Sequence, residues 1–216
     1  MHNYKLIIFD WDGTLMDSVG RIVSSIQACA RIINMEVPTF DQAKQIIGLS
    51  LPKGIPILFP NCTNEQEMLL VEQYKHHYLQ INNTPTPMFA NALNLLSELK
   101  ENNKLLAVAT GKARAGLQRV WHASDTEHFF TASRCSDESL SKPDPDMINS
   151  LLAELDIKAH EAVMIGDTSY DMEMAERAGV DRIGVTFGVH DHMVLSQHQP
   201  IAIVDSLVEL QRLLIK

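Results

Sequence analysis

The chain has 216 residues, of which 45% are hydrophobic and 21% charged, a globular composition that excludes a disordered polymer. Its net charge of −9 argues against nucleic-acid or anionic-membrane binding, which needs a basic face. A phosphorylated ligand stays open, because a bound divalent cation inverts local charge.

Leu6-Ile7-Ile8-Phe9 is a continuous apolar run that ends at Asp10, the pattern of a buried parallel strand. It is too short for a signal-peptide core, and no run reaches membrane-span length, so a soluble cytoplasmic protein is expected. The segment that follows has helical periodicity. Val19, Ile22, Val23, Ile26, Ala30 and Ile33 form one stripe, Thr39 with Gln42 matches a capping box, and Met68, Val71, Tyr74 and Tyr78 mark a third helix. Gly48–Gly54, with Pro52, reads as a shaped loop that carries Lys53.

From Pro87 onward strands and helices alternate. The runs at 105–109, 162–165, 182–185 and 201–204 predict strands. Phe89, Leu93, Leu96 and Leu99, and then Met147, Ile148, Leu151, Leu152 and Leu155, predict helices between them. Asp144 is the expected cap of the second helix, with Pro145 in its first turn. Gly179 is expected to close the helix before it, and Asp205 to cap the last. The pattern is that of an α/β fold with a Rossmann-like parallel sheet. The core is expected at residues 1–16 and 87–216, with an inserted helical cap at 17–86.

Three cysteines, Cys29, Cys62 and Cys135, are too widely spaced for a zinc ribbon or redox pair. His190-x-His192 has metal-ligand spacing, but Gly188 and Asp191 suggest an exposed loop there. Trp11 is expected to shield or pack near the cap.

Ligands of an open parallel sheet bind beyond the carboxyl ends of its strands. Asp10-Trp11-Asp12-Gly13-Thr14, Thr110-Gly111-Lys112, Lys142-Pro143 and Gly166-Asp167-Thr168-Ser169-Tyr170-Asp171 all fall there. Several carboxylates at one edge stay ionised only around a cation, and hard oxygen ligands suit Mg²⁺. An ionised Asp can attack phosphorus, a second acid can protonate the leaving oxygen, and Thr110 and Lys142 can hold the non-bridging oxygens. Gly13 and Gly111 leave room for backbone amides to approach the phosphoryl group.

In order and content these segments resemble the four motifs of the haloacid dehalogenase-like superfamily. The insertion after the first resembles the helical cap of its phosphoglycolate phosphatase-like members. The resemblance implies Asp10 as nucleophile and metal ligand, and Asp12 as general acid/base that also offers its main-chain carbonyl to the metal. It implies Asp167 as the third ligand, Asp171 as orienting a metal water or Lys142, and Thr14 as buttress of the loop. The implied substrate is a small phosphorylated metabolite, phosphoglycolate-like or a sugar phosphate. Two related chemistries stay open: a β-phosphoglucomutase-like phosphotransfer, and phosphonate hydrolysis through a cap lysine, for which Lys53 is the candidate. Lys53 and Arg21 are the expected specificity residues. A receiver-type signalling domain is disfavoured, because it is shorter, lacks a cap and carries its phosphorylated Asp on a middle strand of the sequence. Oligomeric state is not legible.

Overall fold

Residues 4–215 are described by a computed structural model, and residues 1–3 and 216 of the expected core lie outside them. Six strands form one parallel sheet: β1 (Leu6–Phe9), β2 (Leu105–Ala109), β3 (Ala132–Arg134), β4 (Ala162–Gly166), β5 (Asp181–Val185) and β6 (Ala202–Val204), in the order β3-β2-β1-β4-β5-β6. Leu6 is in register with Leu105 on one side and Ala162 on the other. The chain builds outward from β1 in one direction, then returns to build in the other. The switch point is therefore the β1/β4 boundary, where such sheets open a crevice.

Side-chain alternation divides the core. Ile7, Phe9, Leu106, Val108 and Ile165 pack on one face, against α5 (Ala92–Glu101), α6 (Arg114–Ser124) and α10 (Leu207–Leu214). Leu6, Ile8, Ala107 and Met164 pack on the other, against α7 (Asp146–Leu155) and α8 (Ser169–Arg177). Among the described residues no helix is long and apolar enough to cross a membrane.

Between β1 and α5 lie α1 (Val19–Ile32), α2 (Phe40–Lys44), α3 (Leu51–Leu58) and α4 (Asn64–His76), the last continuing into a π-turn at His77–Ile81. They share a separate apolar cluster that includes Val23, Ile26, Ala43, Ile55 and Leu70. The Thr39/Gln42 capping box is formed, and Thr63 with Gln66 makes a second. The two crossings between this layer and the sheet lie side by side. Met16 and Met88 form an antiparallel bridge, Asp17 N–H donates to Pro87 O (2.8 Å) and Phe89 N–H to Leu15 O (2.9 Å).

Several expectations shift. The Gly48–Gly54 segment is not all loop: α3 starts at Leu51, with Pro52 in the first turn, where its missing N–H costs nothing. Lys53 therefore sits on a helix. Met68 and Leu93 are exposed, and Leu70 and Leu95 take the buried positions. Ser206, not Asp205, caps α10 by accepting from Glu209 N–H. At α7 the cap position falls on Pro145, while the Asp144 carboxylate accepts from Asp146 N–H at 3.0 Å. Gly179 follows α8 at φ +68°, as the left-handed helix end requires.

Candidate active site

The carboxyl ends of β1, β2 and β4 and the Lys142 segment converge on the β1/β4 crevice. Asp10 follows β1 directly, and its N–H donates to Ile165 O (2.9 Å), which carries the sheet register into the site. Its carboxylate is buried. Oδ1 forms a 2.8 Å ion pair with Lys142 Nζ, outside the geometry of a directed hydrogen bond, and Oδ2 has no hydrogen-bond partner. The turn beyond it folds back, with Leu15 and Met16 N–H both donating to Trp11 O. That turn sends Trp11 down into the core, edge-on to Trp121 (6.3 Å) and Phe130 (6.0 Å). Trp11 thus packs beneath the site on α6, not at the cap.

Asp167 lies at the end of β4, fully buried. Its Oδ1 accepts from Thr14 Oγ (2.7 Å) and its Oδ2 from Val189 N–H (2.8 Å). Gly13 and Gly188 enclose it: a Cβ on either would come within 2.2 Å of Asp167 Oδ2, and Gly13 sits at φ +85°. Asp171 closes a capping box at the start of α8, its Oδ2 accepting from Thr168 N–H (3.0 Å) and Thr168 Oγ1 (2.6 Å). Its Oδ1 accepts from Lys142 Nζ at 2.6 Å. Asp10, Asp167 and Asp171 present oxygens within 4.8 Å of one another.

Asp12 does not join that trio. Ser18 Oγ donates to its Oδ1 (2.6 Å), and Lys112 Nζ pairs with its Oδ2 (2.9 Å). The sequence carries no signal that pairs Lys112 with Asp12 or brings Ser18 and Val189 to the site, and Gly188, read as part of an exposed loop, packs against Asp167. Thr110 is buried at the end of β2, and its Oγ1 accepts from Lys112 N–H (3.2 Å). Gly111 meets the helical layer: a Cβ there would lie 2.6 Å from Gly48 O and 2.8 Å from Leu49 O.

The electrostatics follow from crowding. Burial pushes Asp10 up to about 7, against the pull of Lys142 and with the help of Asp171 and Asp12. Burial also raises Asp167 well above the carboxylate range, and Asp10 and Asp171 add to it. Burial alone would lower Lys142, but the carboxylates of Asp10 and Asp171 outweigh it and hold the ammonium above the ordinary lysine value. Four acids face two lysines here, so an excess of two negative charges remains when all are ionised.

The other candidates sit farther out. Arg21 donates through Nε (3.2 Å) and Nη2 (2.6 Å) to Tyr78 O, which commits most of its fork to the backbone of the helical layer. Lys53 is exposed, with Nζ 3.4 Å from Ser141 O. His190 is buried rather than in an exposed loop. Its Nδ1 accepts from Ser169 N–H (2.9 Å), so its Nε2 carries the proton toward Gln45 Oε1 (3.2 Å) in the helical layer, and Tyr170 Oη donates to Gln45 O (3.0 Å).

A family profile described as haloacid dehalogenase-like hydrolase matches residues 7–185. A protein of Dickeya dadantii named "Probable phosphatase IndB" is 32% identical over 208 residues, 94% of this chain and 90% of that one. A protein of Mannheimia succiniciproducens named phosphoglycolate phosphatase is 26% identical over 97% of this chain and 98% of its own. Among solved structures, a haloacid dehalogenase-like family hydrolase from Streptococcus pneumoniae superposes with a TM-score of 0.85 at 24% identity, covering 99% of both chains. At that identity the likeness speaks for the fold.

Proposed function

The chain belongs to the haloacid dehalogenase-like hydrolases, and on that premise we propose that it is a Mg²⁺-dependent phosphatase of small phosphomonoesters, with Asp10 as nucleophile. The observation that carries this reading is the state of Asp10: a buried carboxylate whose Oδ2 is unpartnered, beside a fully buried lysine and two further buried acids. An anion so placed costs several kcal/mol unless a cation or an electrophile meets it.

The donor set fits a hard divalent ion. It consists of carboxylate oxygens with an excess of two negative charges, without histidine or cysteine in the cluster. Asp10, Asp167 and the main-chain carbonyl of Asp12 would hold the ion, which when bound supplies the positive charge that keeps Asp10 ionised and draws in the phosphoryl group. The remaining work belongs to the chain. Asp10 Oδ2 attacks phosphorus, and the bond from phosphorus to the ester oxygen breaks. Asp12 passes a proton to that oxygen. It then accepts a proton from water as the water oxygen displaces Asp10 from the aspartyl-phosphate, which releases phosphate and restores the starting state. Lys142 and Thr110 bear on the non-bridging oxygens, where charge gathers in both transition states. Asp171 holds Lys142 in line, and Thr14 and Val189 hold Asp167.

The helical segment at 17–86 serves as the cap over the leaving group. The Mannheimia relative's name supports a phosphoglycolate-like ester as substrate; the core motifs accept sugar phosphates equally. The test is phosphate release from a panel of phosphomonoesters, with EDTA and Mg²⁺ in turn. Activity should vanish with chelation and return with Mg²⁺, and Asp10→Asn should lose at least ~10³-fold in kcat. Full activity in verified metal-free protein ends the Mg²⁺ reading. An Asp10→Asn variant with more than a tenth of wild-type kcat ends the nucleophile assignment.

A further inference from the structure

One cationic cluster is left unused by this chemistry. Three side chains surround the ring of Tyr78: Arg21 Cζ at 4.8 Å from its centroid, Arg119 Cζ at 5.4 Å and Lys112 Nζ at 5.5 Å. Lys112 leaves the loop after β2 and Arg119 the second turn of α6, so both belong to the sheet layer. Tyr78 and Arg21 belong to the helical layer, and the cluster lies in the seam between the two. Lys112 pairs with Asp12, and Arg21 is satisfied in part by a neutral carbonyl. Arg119 has neither an ion pair nor a hydrogen bond among the described residues. Its Nε is buried without a partner, and so is Tyr78 Oη.

Three cations and one anion, Asp12, leave an excess of two positive charges in a half-buried seam. A face of tyrosine offsets part of this, but a buried N–H without an acceptor still costs about 1–3 kcal/mol. An acceptor that arrives with a ligand removes that cost. The position says which part of the ligand it is. The group that protonates the leaving oxygen must touch it, and that group, Asp12, has its Oδ2 2.9 Å from Lys112 Nζ. Whatever lies beyond the leaving oxygen therefore faces Lys112, Arg119 and Tyr78.

We propose that Arg119, together with Lys112, is a specificity-determining residue that binds an anionic group, a carboxylate or a second phosphate, on the leaving-group side of the substrate. The proposal rests on the phosphatase reading and names a property of its substrate. Guanidinium forks take both anions bidentately, and Tyr78 Oη supplies one more donor.

Three esters on one two-carbon skeleton separate the cases: 2-hydroxyethyl phosphate (neutral end), 2-phosphoglycolate (carboxylate) and ethane-1,2-diol bisphosphate (phosphate). The wild type should favour at least one anionic ester over the neutral one by roughly tenfold or more in kcat/KM, and whichever leads identifies the anion. Arg119→Gln should cut that preference about tenfold, through KM, and Arg119→Lys should restore part of it. A wild-type preference for the neutral ester, or an Arg119→Gln effect equal on all three, overturns the proposal while leaving the phosphatase reading intact. If no phosphomonoester is hydrolysed at all, the phosphatase reading falls. Calorimetric titration of 2-phosphoglycolate and the bisphosphate into wild type and Arg119→Gln then decides the anion site alone, and identical binding isotherms overturn it. Melting temperatures of both variants report whether either has lost its fold.

Discussion

Replacing Asp10 by Asn should stabilise the protein while silencing it. Unfolded Asp10 loses its proton near 3.8 and the folded residue near 7, because burial and the neighbouring acids disfavour its charge more than Lys142 favours it. Below the unfolded value both states are protonated and the residue is neutral to stability. Between the two values the native state holds a proton that the unfolded chain has lost, so stability falls as pH rises. Three pK units at 1.36 kcal/mol each make the full cost about 4 kcal/mol above pH 7. Asn removes the charge and the titration. It also removes the 2.8 Å contact between Asp10 and Lys142, but Lys142 keeps Asp171 at 2.6 Å. The pull of Lys142 is already part of that shift, so nothing further is deducted, and a gain on the order of 4 kcal/mol is about 8–16 °C in Tm for a chain of this size. Thermal unfolding of both proteins at pH 8 in EDTA measures it, and the gap should close as the pH is taken toward 4. Saturating Mg²⁺ should raise the wild type by about 2.7 kcal/mol at a hundredfold excess over Kd and the variant by less. If Asp10→Asn melts at or below the wild type in EDTA at pH 8, or if the gap is the same at every pH, the crowding argument is wrong.

Asp12→Asn should slow hydrolysis of alkyl phosphates by roughly 10²–10⁴. p-Nitrophenyl phosphate should regain much of the first step, since its leaving group needs no proton, and rapid-quench bursts on the two esters would expose equal losses if the role is misassigned. Gly111→Ala drives a Cβ to 2.6 Å from Gly48 O, a backbone atom that cannot turn aside. It should displace the 48–50 segment, raise KM several-fold and lower stability by about 1–3 kcal/mol; wild-type KM and Tm together would show that the cap does not close on this glycine.

The strands legible in the sequence are the continuously apolar ones, the central strands buried on both faces and also the half-buried edge strand Ala202–Val204. Ala132–Arg134 escaped because an edge strand of Ala-Ser-Arg, half-buried along its length, has no such run. Residues at strand ends were legible because topology alone brings the ends of β1, β2 and β4 together. Their partners were not. Lys112 reaches Asp12 across a hundred residues, and Val189 N–H reaches Asp167 across 22; pairing at such separations leaves no periodic trace. Trp11 was misplaced for a related reason. Nothing in Asp-Trp-Asp says which way the middle side chain points until the turn onto Trp11 O is built. The near misses at caps, Ser206 for Asp205 and Pro145 for Asp144, are choices between adjacent residues, each able to supply a turn.

The paired crossings at Met16 and Met88 bear on how this architecture can change. Two chain segments hydrogen-bonded as a short ribbon keep their Cα atoms about 4.5–5.5 Å apart, so the sheet layer offers a socket of fixed width. Any insert whose two ends meet at that spacing can be exchanged there without disturbing β1 or α5.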